Sequence, residues 1–258
     1  MGLAGGIAVP VIGGIAGLII GSFIAALTWR WPLGRSIAHG RSACDSCGHL
    51  LGPLELVPVL SLLWLRGRCR HCGVSIAPRN LWIEIASGGI GALALGLHPG
   101  AIGVSGALFG WGLLALSVLD AEHYWLPDRL TLPLLALGLA AGLWLAPSLA
   151  DRAIGGAVGF AGLALVGSGY QLATGRTGLG GGDPKLFAAI GAWLGWFPLA
   201  FVLLLAALLG LALALADRIR GRAVGRHSRL AFGALLAVAA WPFWLLQLGV
   251  ETAILQAP

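Results

Sequence analysis

Residues 186–216 read LFAAIGAWLGWFPLAFVLLLAALLGLALALA, thirty-one positions without a charge. A helix needs about 20 apolar residues to cross a hydrocarbon layer of roughly 30 Å, so this run is long for one span and short for two. Its flanks decide the matter. Residues 217–229 carry five Arg, and Lys185 closes the loop before the run. Basic loops stay on the cytoplasmic side of a membrane, and a single helix would carry the Arg cluster across. Two short helices, broken at Gly195-Trp196-Phe197-Pro198, bring it back, and Pro198 suits the break.

Working outward, further apolar runs fall at residues 3–29, 81–97, 101–119, 130–146, 153–173 and 230–250. With the split run this predicts an all-α polytopic membrane protein of about eight transmembrane helices. Fifteen of the sixteen Lys and Arg then lie on the cytoplasmic side, Arg152 being the exception. Composition agrees, because only 10% of the residues are charged and the mean hydropathy is +0.91. A water-soluble chain of this length could not cover its surface with so few charges. The first run has no basic residues before it and Arg30, Arg35 and Arg41 after it, the reverse of a secretory signal. It reads as a retained helix that starts outside, so both termini are expected in the periplasm. The pI of 9.9 does not point to nucleic acid, since the Arg residues sit between apolar runs as topology signals do. The expected surroundings are membrane lipid. Many of the 42 Gly serve close helix packing on this reading, with Gly14, Gly17 and Gly21 near one face of the first helix.

Residues 30–80 differ from everything around them. They hold seven basic residues and all four Cys, as CDSC at 44–47 and CRHC at 69–72, separated by 21 residues. Two C-x₂-C knuckles supply four thiolates for a tetrahedral Zn²⁺, with Gly48 and Gly73 easing each turn. Arg66, Arg68 and Arg70 offset the negative charge of such a site. A redox pair is the competing reading, but no thioredoxin-like βαβ context surrounds these Cys. The expected organisation is a first transmembrane helix (1–29), a cytoplasmic zinc-binding loop domain (30–80) held by Cys44, Cys47, Cys69 and Cys72, and a transmembrane domain (81–258).

With only ten acidic residues, each one beside a helix is informative, since an ionisable group at membrane depth marks function by default. Asp120 closes the helix of residues 101–119. Asp183 follows a Gly-rich stretch and precedes the helix starting at 186. Both are expected at the cytoplasmic rim, where two carboxylates 63 residues apart can face each other. Each also has a helix-cap reading, Asp183 as an N-cap followed by Pro184. Glu84 reads as a helix N-terminal charge near the headgroups, and Asp128 beside Pro127 as a cap or turn residue.

These segments together resemble the type IV prepilin peptidase family. GLGGGDPKL (178–186) is similar to its GxGD motif, and LDAEHYWLPD (119–128) to its other aspartate segment. GSF (21–23), the two C-x₂-C pairs, VPVLS (57–61), RGRCRHCG (66–73), IE (83–84) and RLAFG (229–233) follow in the family's order. Asp45 stands where Pro is usual, and Arg79-Asn80-Leu81 replaces the family's Arg-Tyr-Pro. The resemblance implies an intramembrane aspartyl protease with Asp120 and Asp183 as the catalytic pair. It would cleave the basic leader of type IV prepilins or type II secretion pseudopilins after a Gly, at the cytoplasmic face of the bacterial inner membrane. Many members also methylate the new N-terminus with S-adenosylmethionine. Two readings from other classes stand beside it. A proton-relay transporter would place its carboxylates near the midplane rather than at helix ends, and a membrane thiol oxidoreductase would leave the Cys free of zinc.

Overall fold

The computed structural model describes residues 3–36, 42–44, 46–221 and 230–255, with side chains from residue 7 to 246. Asp45, Arg41 and residues 222–229 of the Arg-rich segment lie outside them. Long helices are α1 (Leu3–Arg30), α3 (Arg79–Leu97), α4 (Ala101–His123), α5 (Asp128–Ala141), α6 (Leu149–Thr174), α7 (Asp183–Leu194), α8 (Leu199–Ile219) and α9 (Phe232–Leu255). A 3₁₀ turn, Pro53–Leu56, and the short helix α2 (Leu60–Trp64) lie between α1 and α3. No strand occurs among the described residues, only two isolated bridges. Among the described residues five helices, α1, α3, α4, α6 and α8, are long and apolar enough to cross a membrane, which makes this a multi-pass membrane protein. α5 and α7 are shorter, as is the Phe232–Leu246 part of α9.

The chain divides into two compact units, residues 1–115 and 116–258. In the first, α1 packs along α3 through glycine. A Cβ added at Gly13, Gly17 or Gly21 would strike the backbone of Gly91, Ser87 or Glu84. The stripe therefore runs at intervals of four and takes Gly13 rather than Gly14, whose Cβ position has ordinary room. Such small-residue faces let helix backbones touch where lipid offers no hydrophobic drive to association. Ser87 Oγ donates to Gly17 O at 2.6 Å, and Trp111 Nε1 donates to Ser87 O at 3.0 Å. Arg79, where the chain re-enters a helix, donates to Thr28 Oγ1 (2.6 Å) and Ala25 O (3.2 Å) near the end of α1.

The second unit is built around α7. Every residue of α7 except Lys185 is buried, as expected of a helix apolar on all sides. At 1.5 Å per residue its twelve residues reach only about 18 Å. Gly155 and Gly191 let α6 and α7 meet at backbone contact, and Trp193 Nε1 donates to Leu134 O of α5 at 2.8 Å. α7 stops at Leu194, Gly195 turns with φ 77°, and α8 starts at Leu199 after Pro198. The break read from Gly195 to Pro198 is thus present. α6 starts earlier than residue 153 because Ser148 caps it. Its Oγ accepts from the Asp151 amide at 3.2 Å and donates to Asp151 Oδ2 at 2.7 Å.

That early start changes the meaning of Arg152. The sequence places it in an outer turn, as the one basic residue on the wrong side. It lies instead inside α6, 2% exposed. Its guanidinium donates to Gly138 O (2.9 Å) and Ala192 O (3.1 Å), near the C-termini of α5 and α7. Two further bonds reach Ala146 O (2.8 Å) and Pro147 O (2.9 Å) of the connecting loop. Carbonyls at helix C-termini lack partners within the helix and carry the negative end of its dipole. Arg152 is a buried staple, not a topology signal.

Candidate active site and metal centre

The aspartate pair assembles within the second unit. Asp120 lies one turn before the C-terminus of α4, and Asp183 is the first residue of α7. They are 6% and 5% exposed. Asp183 does not cap its own helix, since Gly182 holds the N-cap position. Its Oδ2 instead accepts the Gly180 amide at 3.0 Å, folding the Gly-rich approach back over the carboxylate. Asp120 Oδ2 accepts the Ala234 amide from the first turn of α9 at 2.8 Å. The two carboxylates meet at Gly233. A Cβ there would stand 2.9 Å from Asp183 Oδ1 and 3.0 Å from Asp120 Oδ2, so both oxygens flank a single point. Leu126, from the segment joining α4 to α5, packs against Gly182 and Gly233 and provides the apolar wall.

Two buried carboxyls so placed cannot both ionise easily, because each charge opposes the other where water is scarce. Such a pair can hold one proton between them. It then offers a base and an acid at the same point.

Asp128 and Lys185 border the pair. Lys185 Nζ grips both oxygens of Asp128 at 2.7 and 2.8 Å, joining the start of α5 to that of α7. Asp128 is therefore an ion-pair partner rather than a cap. Glu84 lies in the first unit and is buried, not exposed at a helix end. Its Oε2 accepts the Val59 amide at 2.8 Å, and the Ser22 hydroxyl also bonds to its carboxylate. Val59 has φ 61°, a backbone state that a β-branched residue rarely adopts. The segments GSF, VPVLS and IE, far apart in sequence, thus converge on one carboxylate.

The four Cys also gather. Their Sγ atoms all lie within 4.8 Å of one another. Tetrahedral Zn–S bonds of about 2.3 Å would space sulfurs by about 3.8 Å, and Cys44 Sγ stands 3.8 Å from Cys72 Sγ. The two knuckles repeat one geometry. The amides of Gly48 and Gly73 donate to Cys44 O and Cys69 O, each at 2.9 Å. Both glycines have φ 70°, the left-handed turn expected after each second Cys. Bridges Ala43 to Leu50 and Arg68 to Ser75 close the two loops, and His49 stacks on His71 with centroids 4.7 Å apart. The amides of Cys47 and Ser46 hold the Cys44 thiol down to about 7. The His49 amide pulls Cys47 down too, but desolvation and the adjacent Cys72 and Cys44 sulfurs outweigh it and push that thiol to about 11. One thiolate thus hinders the next, and a bound dication relieves that repulsion. The donor set fits a metal ion.

Comparison with known proteins bears on the family of the chain. Residues 15–97 match the Bacterial Peptidase A24 N-terminal domain, and residues 107–215 match the Type IV leader peptidase family. A Prepilin leader peptidase/N-methyltransferase of Burkholderia pseudomallei (strain K96243) is 40% identical over 90% of this chain and 86% of its own. The chain belongs to the type IV leader peptidase family. A Dichelobacter nodosus protein of the same name is 35% identical over 88% of each chain, and one of Pseudomonas aeruginosa is 37% identical over 88% of this chain and 87% of its own. No solved structure matches. The leader-peptidase resemblance read from the sequence is thereby shown at the level of family.

Sequence reasoning missed two parts of the aspartate unit. The amides of Gly233 and Ala234 carry no side-chain signal, although a Gly at the start of a helix and 50 residues after Asp183 was a cue. Arg152 was visible only as an exception to charge asymmetry, and that exception was the signal.

Proposed function

We propose that the chain is a prepilin peptidase in which Asp120 and Asp183 form the catalytic pair, cutting the leader of a type IV prepilin or type II secretion pseudopilin. The observation that carries this is the placement of both carboxylates around Gly233, each held by a backbone amide. One carboxylate takes a proton from water as it attacks the scissile carbonyl, while the other, protonated, donates to the carbonyl oxygen. The first then passes its proton to the leaving amine as the second takes one back from a hydroxyl of the tetrahedral carbon. Burial strengthens both transfers by keeping bulk water away. The related proteins' shared name supplies the substrate class.

The same reading divides the chain into a first transmembrane helix (1–29), a cytoplasmic zinc-binding loop domain (30–80) and a transmembrane peptidase domain (81–258). Eight spans place both termini in the periplasm and the aspartates at the cytoplasmic rim of the bacterial inner membrane. There the leader of a single-span substrate emerges. Cys44, Cys47, Cys69 and Cys72 would hold a structural Zn²⁺ that fastens a loop with little core of its own. The relatives' name includes N-methyltransferase, and we extend that second step to this chain with S-adenosylmethionine as methyl donor. Among the described residues no strand, Gly-rich turn and helix form a nucleotide cradle of the dinucleotide-binding kind.

The test is direct. Purified full-length protein in detergent is incubated with a prepilin, and the product N-terminus is read by mass spectrometry. Cleavage after the leader Gly is expected, with a further methyl mass once S-adenosylmethionine is added. An intact prepilin under conditions where the protein is folded and metal-loaded removes the proposal.

A further inference from the structure

Three groups converge on Gly233, a position without a side chain in the first turn of α9. A Cβ on Gly233 would stand 2.7 Å from Leu126 Cδ1, 2.9 Å from Asp183 Oδ1 and 3.0 Å from Asp120 Oδ2. The glycine is not there for its backbone, because it is absent from the positions with positive φ and starts an ordinary helix. It is there for room. Its amide bonds to both carboxylates, and the next amide, Ala234, donates to Asp120 Oδ2 at 2.8 Å. First-turn amides have no acceptor within their own helix, so α9 can spend them on the pair without losing a helical bond.

We propose that the first turn of α9 is a positioning element for the aspartate pair, with Gly233 setting how closely the carboxylates approach and Ala234 fixing the rotamer of Asp120. The inference rests on the reading of Asp120 and Asp183 as catalytic. An acid and a base that share a proton must lie at one separation and one orientation, and displacement by about 1 Å can cost a hundredfold in rate. Side-chain packing alone would leave two short carboxylates free to turn away from each other's charge. A shared backbone amide holds both without adding a third titrating group.

Gly233→Ala probes the separation. Alanine is the better helix former, so the variant should fold, while its methyl group must displace at least one carboxylate or Leu126. Ala234→Pro probes the rotamer by removing one amide at a first-turn position that tolerates proline. Gly210→Ala is the packing control. Its Cβ would crowd Leu230 and Leu235 between α8 and α9, but no carboxylate. Each full-length variant is assayed in detergent micelles on a single-span peptide with a basic leader ending in Gly. Gly233→Ala and Ala234→Pro should each lower kcat by about 100-fold with KM unchanged to within about threefold, and Gly210→Ala should keep both. Should Gly233→Ala not fold, Ala234→Pro decides alone. Wild-type kcat in the folded variants, or a rise in KM with kcat intact, overturns the inference while leaving the catalytic pair standing. A wild-type chain that leaves the peptide uncut overturns the catalytic reading and this inference with it.

Discussion

The two ends of α7 both hold buried ionisable groups, and they are treated in opposite ways. At the C-terminal end Arg152 donates to four carbonyl oxygens, including one from α7 and one from α5. Each of these four partners is of the sign its charge wants. At the N-terminal end Asp183 meets amides from Gly180 and α9, but also a second carboxylate, Asp120. A buried charge with fully complementary neighbours stabilises a fold, as polar groups do inside membrane proteins when every bond is made. A buried charge set against its own kind is held there by the rest of the structure. Strain of that sort marks sites of chemistry.

The largest expected effect tests the strained end. Asp120→Asn and Asp183→Asn keep shape but remove a titrating partner, so each should lower cleavage by at least about 10³-fold, and the double variant little more. Melting temperature should hold or rise, since like-charge opposition is gone. The wild-type pH profile should be bell-shaped. Acid protonates both carboxyls and removes the base, whereas alkali ionises both and removes the acid. Near-normal cleavage by folded, membrane-inserted Asp183→Asn would end the aspartyl-protease reading.

The complementary end should respond the other way. Arg152→Met strands carbonyls of α5, α7 and the segment joining α5 to α6 in an apolar setting, for a loss on the order of 3–5 kcal/mol in stability. Arg152→Lys should recover only part, because an ammonium cannot fork across four acceptors. Unfolding in detergent measures both, and the fraction still folded should cleave at close to the wild-type kcat. If Arg152→Met instead abolished cleavage at full stability, the contrast between the two ends would be lost.

Much of this contrast was legible in the sequence, and the remainder was not for definable reasons. Helix positions followed from uncharged runs, and the α7–α8 break from Gly195 to Pro198 followed from charge on either side of an overlong run. Asp120 and Asp183 stood out because carboxylates are rare in such a chain, and the Cys knuckles because their spacing is local. Helix ends were less readable. Arg152 was misplaced because Ser148, four residues earlier, starts α6 before the apolar run does. Ala234 contributes a backbone amide, which nearly every residue has, and Gly233 contributes an amide and the room left by a missing side chain. Glu84 read as a helix N-terminal charge near the headgroups since its partners, the Val59 amide and Ser22, lie 25 and 62 positions away.

The metal centre gives an intermediate effect that should spare the contrast. One zinc per chain is expected, and Cys69→Ser should reduce metal content and the stability of residues 30–80 before it alters the aspartates. Metal binding requires thiolates, so affinity should rise with pH. Cys44 is held down to about 7, whereas Cys47, pushed to about 11, must give up its proton to the metal. Acidification from pH 8 to 5 should therefore release zinc, as followed by a chromogenic chelator. Full occupancy in a Cys44→Ser, Cys69→Ser double variant would sink the assignment.

The smallest effect belongs to the ion pair at the border of the strained end. Lys185 and Asp128 make two short bonds but are 38% and 53% exposed. Exposed pairs of this kind contribute about 0–1 kcal/mol, because water solvates the separated charges nearly as well. Asp128 therefore differs from Asp183 in setting although it is the same residue type in the same unit. Asp128→Asn should keep cleavage within about threefold and lower stability by no more than about 1 kcal/mol. The loss should shrink further at 0.5 M salt, where screening acts over only a few ångströms. Lys185→Met should match it, and the double variant should cost little beyond either single one, the signature of a shared interaction. A loss of cleavage in Asp128→Asn comparable to that of Asp183→Asn would place a third carboxylate in the chemistry. The pair at Gly233 would then no longer be sufficient as the acid and the base.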